Sequence, residues 1–138
     1  MGEYRAYQLG VAGEQIAERY LAATGLRIVA RRFRCRGGEL DLVCEQESGT
    51  RGQSGIVFVE VKTRTCRGFG RPEAAVSARK RGRLLEAAKA YLYEHPDPRA
   101  NIRFDVVSVW IRQSRGPLIE HFVDAFGVHE LMDRDPWY

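Results

Sequence analysis

The strongest strand signal in the sequence is IVFVEVKT, residues 56–63, which is rich in β-branched and aromatic side chains. Because side chains alternate along a strand, Phe58, Glu60 and Lys62 share one face, and the neighbouring valines share the other. The valine face predicts burial against a core. The opposite face therefore presents an acid and an amine on one strand, separated by a single residue.

A second strand is predicted at residues 39–46, before a polar, glycine-rich loop at residues 47–55. Its alternation places Leu40, Leu42 and Cys44 on one face and Asp41 on the other. Aligning this apolar face with the valine face determines the parity of the hairpin register, because a slip of one residue would invert it.

A hairpin loop centred near residues 50 and 51 then puts Asp41 opposite Glu60, and Glu39 opposite Lys62. Facing side chains have Cβ atoms about 4.5–5.5 Å apart, and like charges at that range are destabilising without a counter-ion. Two facing carboxylates therefore predict a divalent cation site, and oxygen ligands suit Mg²⁺ or Mn²⁺ better than zinc.

These residues match the needs of phosphodiester hydrolysis, which requires an activated water and stabilisation of charge on the phosphoryl oxygens. Asp41, Glu60 and Lys62 are accordingly the predicted catalytic residues, with Lys62 holding the water or the phosphate. The alternative is that Glu60 and Lys62 form an ordinary surface ion pair, worth about 0.2–1 kcal/mol.

The remaining patterns predict an α/β fold in the order α-β-β-β-α-β-β, with one mixed sheet flanked by helices. Helices are predicted at about residues 9–24, 77–94 (capped by Ser77) and 128–132, and further strands at 26–35, 102–111 and 118–123. We expect a single domain over residues 1–138, with a core from about 9 to 126 and a C-terminal tail at 127–138. Asp105, within an apolar strand, is predicted to have a hydrogen-bonded structural role.

Basic residues are unevenly placed on a chain of net charge +4. One cluster, of five arginines, spans residues 27–36, and another begins the second helix; its members are Arg79, Lys80, Arg81 and Arg83. Cations are disfavoured at a helix N-terminus, and a docked phosphate would reverse that penalty. We therefore predict a nucleic-acid surface there, with Arg64 as a further contact and Gly82 allowing close approach.

Composition excludes several classes of protein. The apolar runs are too short to span a bilayer, and the N-terminus lacks the apolar stretch of a secretory signal. Three cysteines without a CxxC spacing favour reduced thiols. We expect a cytoplasmic protein with no membrane partner.

Two segments, GGELDLV and FVEVKTR, together with the helix GEQIAERYL and the strand RFDVVSV, resemble the YraN-like family. These small bacterial proteins are placed among the endonucleases of the PD-(D/E)xK restriction-endonuclease-like superfamily, and their layout is similar to that of archaeal Holliday junction resolvases. The resemblance implies that Asp41, Glu60 and Lys62 form the motif and that Glu14 joins Asp41 and Glu60 as a metal ligand. Leu40 stands where the literal motif has proline.

Three functions remain open from the sequence. The first is a Mg²⁺-dependent or Mn²⁺-dependent endonuclease acting on DNA, including branched or structured DNA. The second is a non-catalytic nucleic-acid-binding module with the same fold, and the third is an interaction protein whose ion pair is structural. We expect the nucleic-acid partner to be DNA rather than RNA. The sequence leaves open whether the protein forms a homodimer.

Overall fold

The computed structural model describes residues 2–47, 54–65, 77–97 and 101–127. Over this part of the chain the predicted order α-β-β-β-α-β-β is confirmed. The elements are α1 (Gly2–Ala23), β1 (Leu26–Cys35), β2 (Gly38–Glu47), β3 (Ser54–Arg64), α2 (Ala78–Glu94), β4 (Asn101–Trp110) and β5 (Leu118–Phe126). The helix predicted at residues 128–132 and the third cysteine, Cys66, lie outside the described residues.

The strands lie side by side in chain order, from β1 to β5. Strands β3 and β4 are parallel, whereas every other neighbouring pair is antiparallel. Parallel neighbours need a long crossover, and α2 lies in the segment that connects them. The sheet is therefore mixed, as the sequence predicted.

Apolar side chains cover both faces of the sheet. On one face, Ala17 and Leu21 of α1 pack in the same cluster as Val57 and Val59. On the other, α2 packs against Phe58 in a second cluster. The sequence predicted a core only behind the valines, but Phe58, on the Glu60 face, is 1% exposed. The polar part of that face is thus confined to the last residues of β3.

Some helix and strand boundaries differ from the prediction, at positions where burial does not determine them. Helix α1 begins at Gly2 rather than near Leu9, and its first seven residues are exposed, so no apolar stripe marks them in the sequence. Strand β5 continues to Phe126 because a register shift allows that residue to pair with Phe104.

Two glycines allow the helices to approach the sheet near the predicted site. A Cβ at Gly13 of α1 would lie 1.9 Å from Oγ1 of Thr63, and one at Gly38 would lie 1.9 Å from the carbonyl oxygen of Arg83 in α2. Any side chain at these positions would push a helix away. At Gly82 nothing in the described part of the chain lies within 4 Å of a Cβ, so the close approach predicted there concerns a bound phosphate and stays a prediction.

The two described cysteines, Cys35 and Cys44, are free. Burial raises the pKa of the Cys44 thiol to about 12, which is the behaviour of an inert core residue. Within the described residues, no helix combines the length and the apolar character needed to cross a membrane.

Candidate active site

Glu60 is the centre of the candidate site, and its side chain is 5% exposed. It lies near the end of β3, on the face that packs against α2. Two ammonium groups contact the same carboxylate oxygen, Oε1: Nζ of Lys62 at 3.7 Å and Nζ of Lys80 at 3.1 Å. A buried carboxylate needs such partners, because burial without them would cost several kcal/mol (~3–5).

Asp41 reaches this centre from β2, as the hairpin register predicted. The observed pairs run as far as Leu42 opposite Val59, so the next step of the same register sets Asp41 opposite Glu60. Oδ2 of Asp41 accepts a hydrogen bond from the backbone N–H of Val61 at 2.8 Å. The acid therefore interacts with β3 through its side chain at the point where the ladder ends.

Burial and the facing Glu60 carboxylate raise the pKa of Asp41 to about 8, against the weaker opposing effect of the Val61 N–H. Glu14 of α1 adds a smaller contribution in the same direction. Without a cation, Asp41 is therefore largely protonated at neutral pH. The predicted repulsion between the two carboxylates is present, and protonation of Asp41 relieves it.

The alternation of β2 breaks at Asp41. Leu40 packs in the α2-side cluster and Leu42 in the α1-side cluster, although the sequence placed both on one face. On the neighbouring strand, Arg32 lies between the partners of these two leucines and has a left-handed backbone, with φ +48. Such irregularities redirect a side chain, and here Asp41 lies at the break.

The predicted contact between Glu39 and Lys62 is not formed. Glu39 instead bonds to Arg34, its register partner on β1, with 3.4 Å between Nε and Oε1. The physical reason is that the β2–β3 pairing ends at Leu42, so residues before Asp41 follow β1 rather than β3.

Glu14 lies beside the site but is not gathered into it. Oε2 of Glu14 accepts a hydrogen bond from Arg32 Nε at 3.0 Å, in a cavity of about 260 Å³ between α1 and the sheet. It approaches from the α1 side, whereas Glu60 faces α2. Among the described residues, no group of three or more His, Cys, Asp or Glu side chains could hold a metal ion.

The basic residues at the start of α2 make different contacts. Ser77 caps the helix as predicted, accepting a hydrogen bond from Lys80 N at 3.2 Å. Arg79 and Arg83 are exposed, and Arg81 places its guanidinium 5.2 Å from the centre of the Phe126 ring. Lys80 is bonded to Glu60.

Lys80 was predicted as a phosphate contact. Its helical spacing from two apolar residues of α2 also indicates that it lies beside the sheet. It precedes Leu84 and Ala88 by one and two helical turns, and both of these residues are buried against the sheet. Arg64, the other predicted contact, is half-buried at the end of β3.

The arginines of β1 are largely engaged in ion pairs with α1 and β2. The pairs are Arg27–Glu45, Arg31–Glu18, Arg32–Glu14 and Arg34–Glu39. This cluster is therefore a salt-bridged edge of the sheet.

A polar network that sequence reasoning only partly predicted lies on the α1 side of β4. Asp105 is fully buried and accepts hydrogen bonds from Arg103 at 3.0 and 3.1 Å, from His121 Nε2 at 2.7 Å and from the Asp124 N–H at 2.9 Å. His121 Nδ1 in turn lies 3.2 Å from the Tyr20 hydroxyl of α1. The alternation of charged and apolar residues in β4 indicated Asp105, but nothing in the sequence paired it with His121.

The residues present fit one divalent cation of the Mg²⁺ type. Asp41 and Glu60 would supply oxygen ligands from adjacent strands, and Mg²⁺ is commonly bound by one or two carboxylates, with water and substrate phosphate completing its shell. A Mg²⁺ site of this kind does not need protein ligands at every coordination position.

The fold and the site define an α/β protein with a mixed sheet and an acid pair on two adjacent strands, in which Glu60 is buried and Asp41 is half-buried. A family model described as uncharacterised protein family UPF0102 matches residues 13–109. A UPF0102 protein of Syntrophomonas wolfei is 45% identical over 119 residues, which cover 86% of this chain and 97% of that relative. A UPF0102 protein of Geobacter sulfurreducens is 42% identical over 125 residues, covering 91% and 93%. The chain belongs to the UPF0102 family, which confirms the YraN-like resemblance; the family's description assigns no activity.

Proposed function

We propose that this protein is a Mg²⁺-dependent or Mn²⁺-dependent nuclease that hydrolyses phosphodiester bonds of DNA. The observation that carries the proposal is the pairing of Asp41 with Glu60 at one end of the sheet, with Lys62 3.7 Å from Glu60. An ordinary surface ion pair does not place a second, half-buried acid against the first, because that arrangement is costly unless a cation or proton joins them.

Each residue has a separate task in the proposed reaction. Asp41 and Glu60 would hold the cation, which on binding supplies an activated water and neutralises charge on the phosphate. Lys62 would donate hydrogen bonds to the attacking water or to a phosphoryl oxygen, and its ammonium would balance negative charge that develops there. Asp41 must lose its proton before it can act as a ligand.

Charge outside the acid pair supports a polyanionic substrate. Arg79 and Arg83 are exposed in the first turns of α2, and Lys80 connects those turns to Glu60. A phosphate backbone lying along this helix start would meet both the free amides and the arginines. Branched and structured DNAs are the substrates to test first.

The test is cleavage of linear, flapped and four-way DNAs by wild type, Asp41→Asn and Lys62→Ala in Mg²⁺ or Mn²⁺. We expect wild type to cut at least one DNA and both variants to lose at least ~100-fold in rate. Asp41→Asn prepared identically controls for contaminating nucleases.

Cation binding by the free protein separates the remaining outcomes. Metal at ~100 times Kd should add about 2.7 kcal/mol to the stability of wild type and of Lys62→Ala, and nothing to Asp41→Asn. DNA binding without cleavage or metal stabilisation would instead favour the non-catalytic binding module. Absence of all three would mean that the acid pair is structural.

A further inference from the structure

Lys80 occupies a position that a helix-surface cation would not ordinarily take. Its Nζ lies 3.1 Å from Oε1 of Glu60, closer than the 3.7 Å of Lys62, although Lys80 belongs to a different element. We propose that Lys80 is a second substrate-contacting lysine of the candidate centre. In the metal-free protein it neutralises Glu60, and when a divalent cation binds it moves to the scissile phosphate.

The backbone of α2 holds Lys80 in place for this role. Ser77 accepts a hydrogen bond from the Lys80 N–H, which anchors the first turn of the helix. Leu84 and Ala88, on the same helical stripe, are each 2% exposed against the sheet. The side chain of Lys80 therefore leaves the helix on the side that faces β3.

The charge balance of the site explains why Lys80 is there. An ammonium group near a helix N-terminus is disfavoured by the helix dipole, by about 0.3–1 kcal/mol. Glu60 offsets this cost, and Lys80 in turn supplies positive charge to a buried carboxylate. A bound divalent cation would supply that charge instead and would repel both lysines.

Lys80 is also free to move, in contrast to Glu60. Its side chain is 43% exposed, whereas that of Lys62 is 24% exposed and that of Glu60 is 5% exposed. A lysine ammonium on a flexible stem has three rotatable donors, which suits transfer from a carboxylate to a nearby phosphate oxygen. The two lysines then act differently, with Lys62 fixed on the strand and Lys80 mobile above it.

This inference rests on the proposed nuclease function, and two measurements distinguish the failure of one from the failure of the other. The first is calorimetric titration of Mn²⁺ into the free full-length protein, for wild type, Lys80→Gln, Lys80→Arg and Lys89→Gln. Lys89 is the matched control, since it lies on the same helix and is paired with Glu86 rather than Glu60. The second is single-turnover DNA cleavage at saturating Mn²⁺.

Removing the competing ammonium should tighten Mn²⁺ binding in Lys80→Gln by about three- to tenfold, while Lys80→Arg and Lys89→Gln stay within about twofold of wild type. At saturating metal, Lys80→Gln should cleave about 10²-fold more slowly, and Lys80→Arg should recover part of that rate.

If wild type neither binds Mn²⁺ nor cleaves, the proposed function has failed. If wild type does both and Lys80→Gln matches Lys89→Gln in affinity and rate, the assignment of Lys80 is overturned. Tighter binding with an unchanged rate would also overturn it, because Lys80 would then neutralise Glu60 without touching the substrate.

Discussion

At the scale of single residues, the chemistry depends on where a proton lies. Asp41 and Glu60 are close enough that both cannot be ionised cheaply without a counter-ion. Burial and Glu60 raise the pKa of Asp41 to about 8, so the metal-free protein keeps a proton on Asp41 at neutral pH. This proton marks the place where a divalent cation would substitute for it.

The raised pKa of Asp41 predicts how the free energy of unfolding changes with pH. A carboxyl whose pKa is higher in the folded protein than in the unfolded chain stabilises the fold below its ordinary pKa of about 4. That contribution is lost as the pH rises toward 8. We expect Asp41→Asn to match wild type at about pH 4 and below, and to become more stable than wild type as the pH rises toward 9, measured by urea unfolding without metal.

The control for this experiment is Glu39→Gln, which removes an acid from the same strand. Glu39 is partly exposed and paired with Arg34, and an exposed ion pair contributes at most about 1 kcal/mol, so its variant should stay within that range of wild type. If Asp41→Asn also stays within that range at high pH, Asp41 does not carry the extra proton.

At the scale of elements, the start of α2 is divided between the site and the surface. Lys80 faces Glu60, and the exposed Arg79 and Arg83 remain as the contacts for a phosphate backbone. Ser77 and the packing of Leu84 hold this turn against the sheet. The helix thus places exposed arginines close to the acid pair.

Replacing Arg79 and Arg83 with alanine should weaken DNA binding for every sequence tested. Each lost phosphate contact should reduce the slope of log K against log salt by about 0.9, so the double variant should lose nearly two slope units. The measurement is fluorescence anisotropy of labelled DNA across a salt series, with metal omitted to prevent cleavage.

Lys89→Ala serves as the comparison, because it removes a cation from the middle of the same helix. Its salt slope should equal that of wild type. An unchanged slope in the Arg79/Arg83 variant would show that these residues are solvated charges and that DNA binds elsewhere.

At the scale of the whole molecule, the fold is held at both faces of one sheet, and a buried polar network connects three elements. Asp105 of β4 bonds to His121 and to the Asp124 N–H of β5, and His121 contacts Tyr20 of α1. Because a carboxylate only accepts, His121 Nε2 carries the hydrogen, and in the neutral imidazole Nδ1 accepts from Tyr20. Burial alone would raise the pKa of Asp105, but hydrogen bonds from His121 and Arg103 outweigh it and lower the pKa.

We expect Asp105→Asn to destabilise the fold by about 2–4 kcal/mol at neutral pH, since it breaks a buried, charge-assisted network. A lowered pKa means that the contribution is present above the ordinary pKa of about 4 and is lost as the pH falls below it. The difference in the free energy of unfolding between wild type and Asp105→Asn should therefore become smaller at acidic pH. The measurement is urea unfolding at pH 7 and below.

Asp124→Asn makes the same chemical change at an exposed position whose left-handed backbone asparagine tolerates. It should alter stability by less than about 0.5 kcal/mol. A comparable loss in both variants would mean that the effect of Asp105 comes from net charge rather than from its hydrogen bonds.

Much of this architecture is determined by local patterns in the sequence. Strand β1 runs over residues 26–35 as predicted, and Ser77 caps α2, because turn residues and apolar periodicity act over a few neighbouring residues. The parity of the hairpin register follows from the same alternation, since a slip of one residue would exchange the two faces, and a loop centred near residues 50 and 51 completes the register. Asp41 and Glu60 could therefore be placed opposite each other without a structure.

Tertiary structure alone decided the features that depend on distant contacts. The left-handed backbone at Arg32 and the break at Asp41 separate Leu40 from Leu42, which strict alternation had kept together. Lys80 meets Glu60, and Asp105 meets His121, only after α2 packs on the sheet and β5 pairs with β4. Periodicity reports which face a residue takes within its own element; which groups from other elements meet that face depends on how the elements pack.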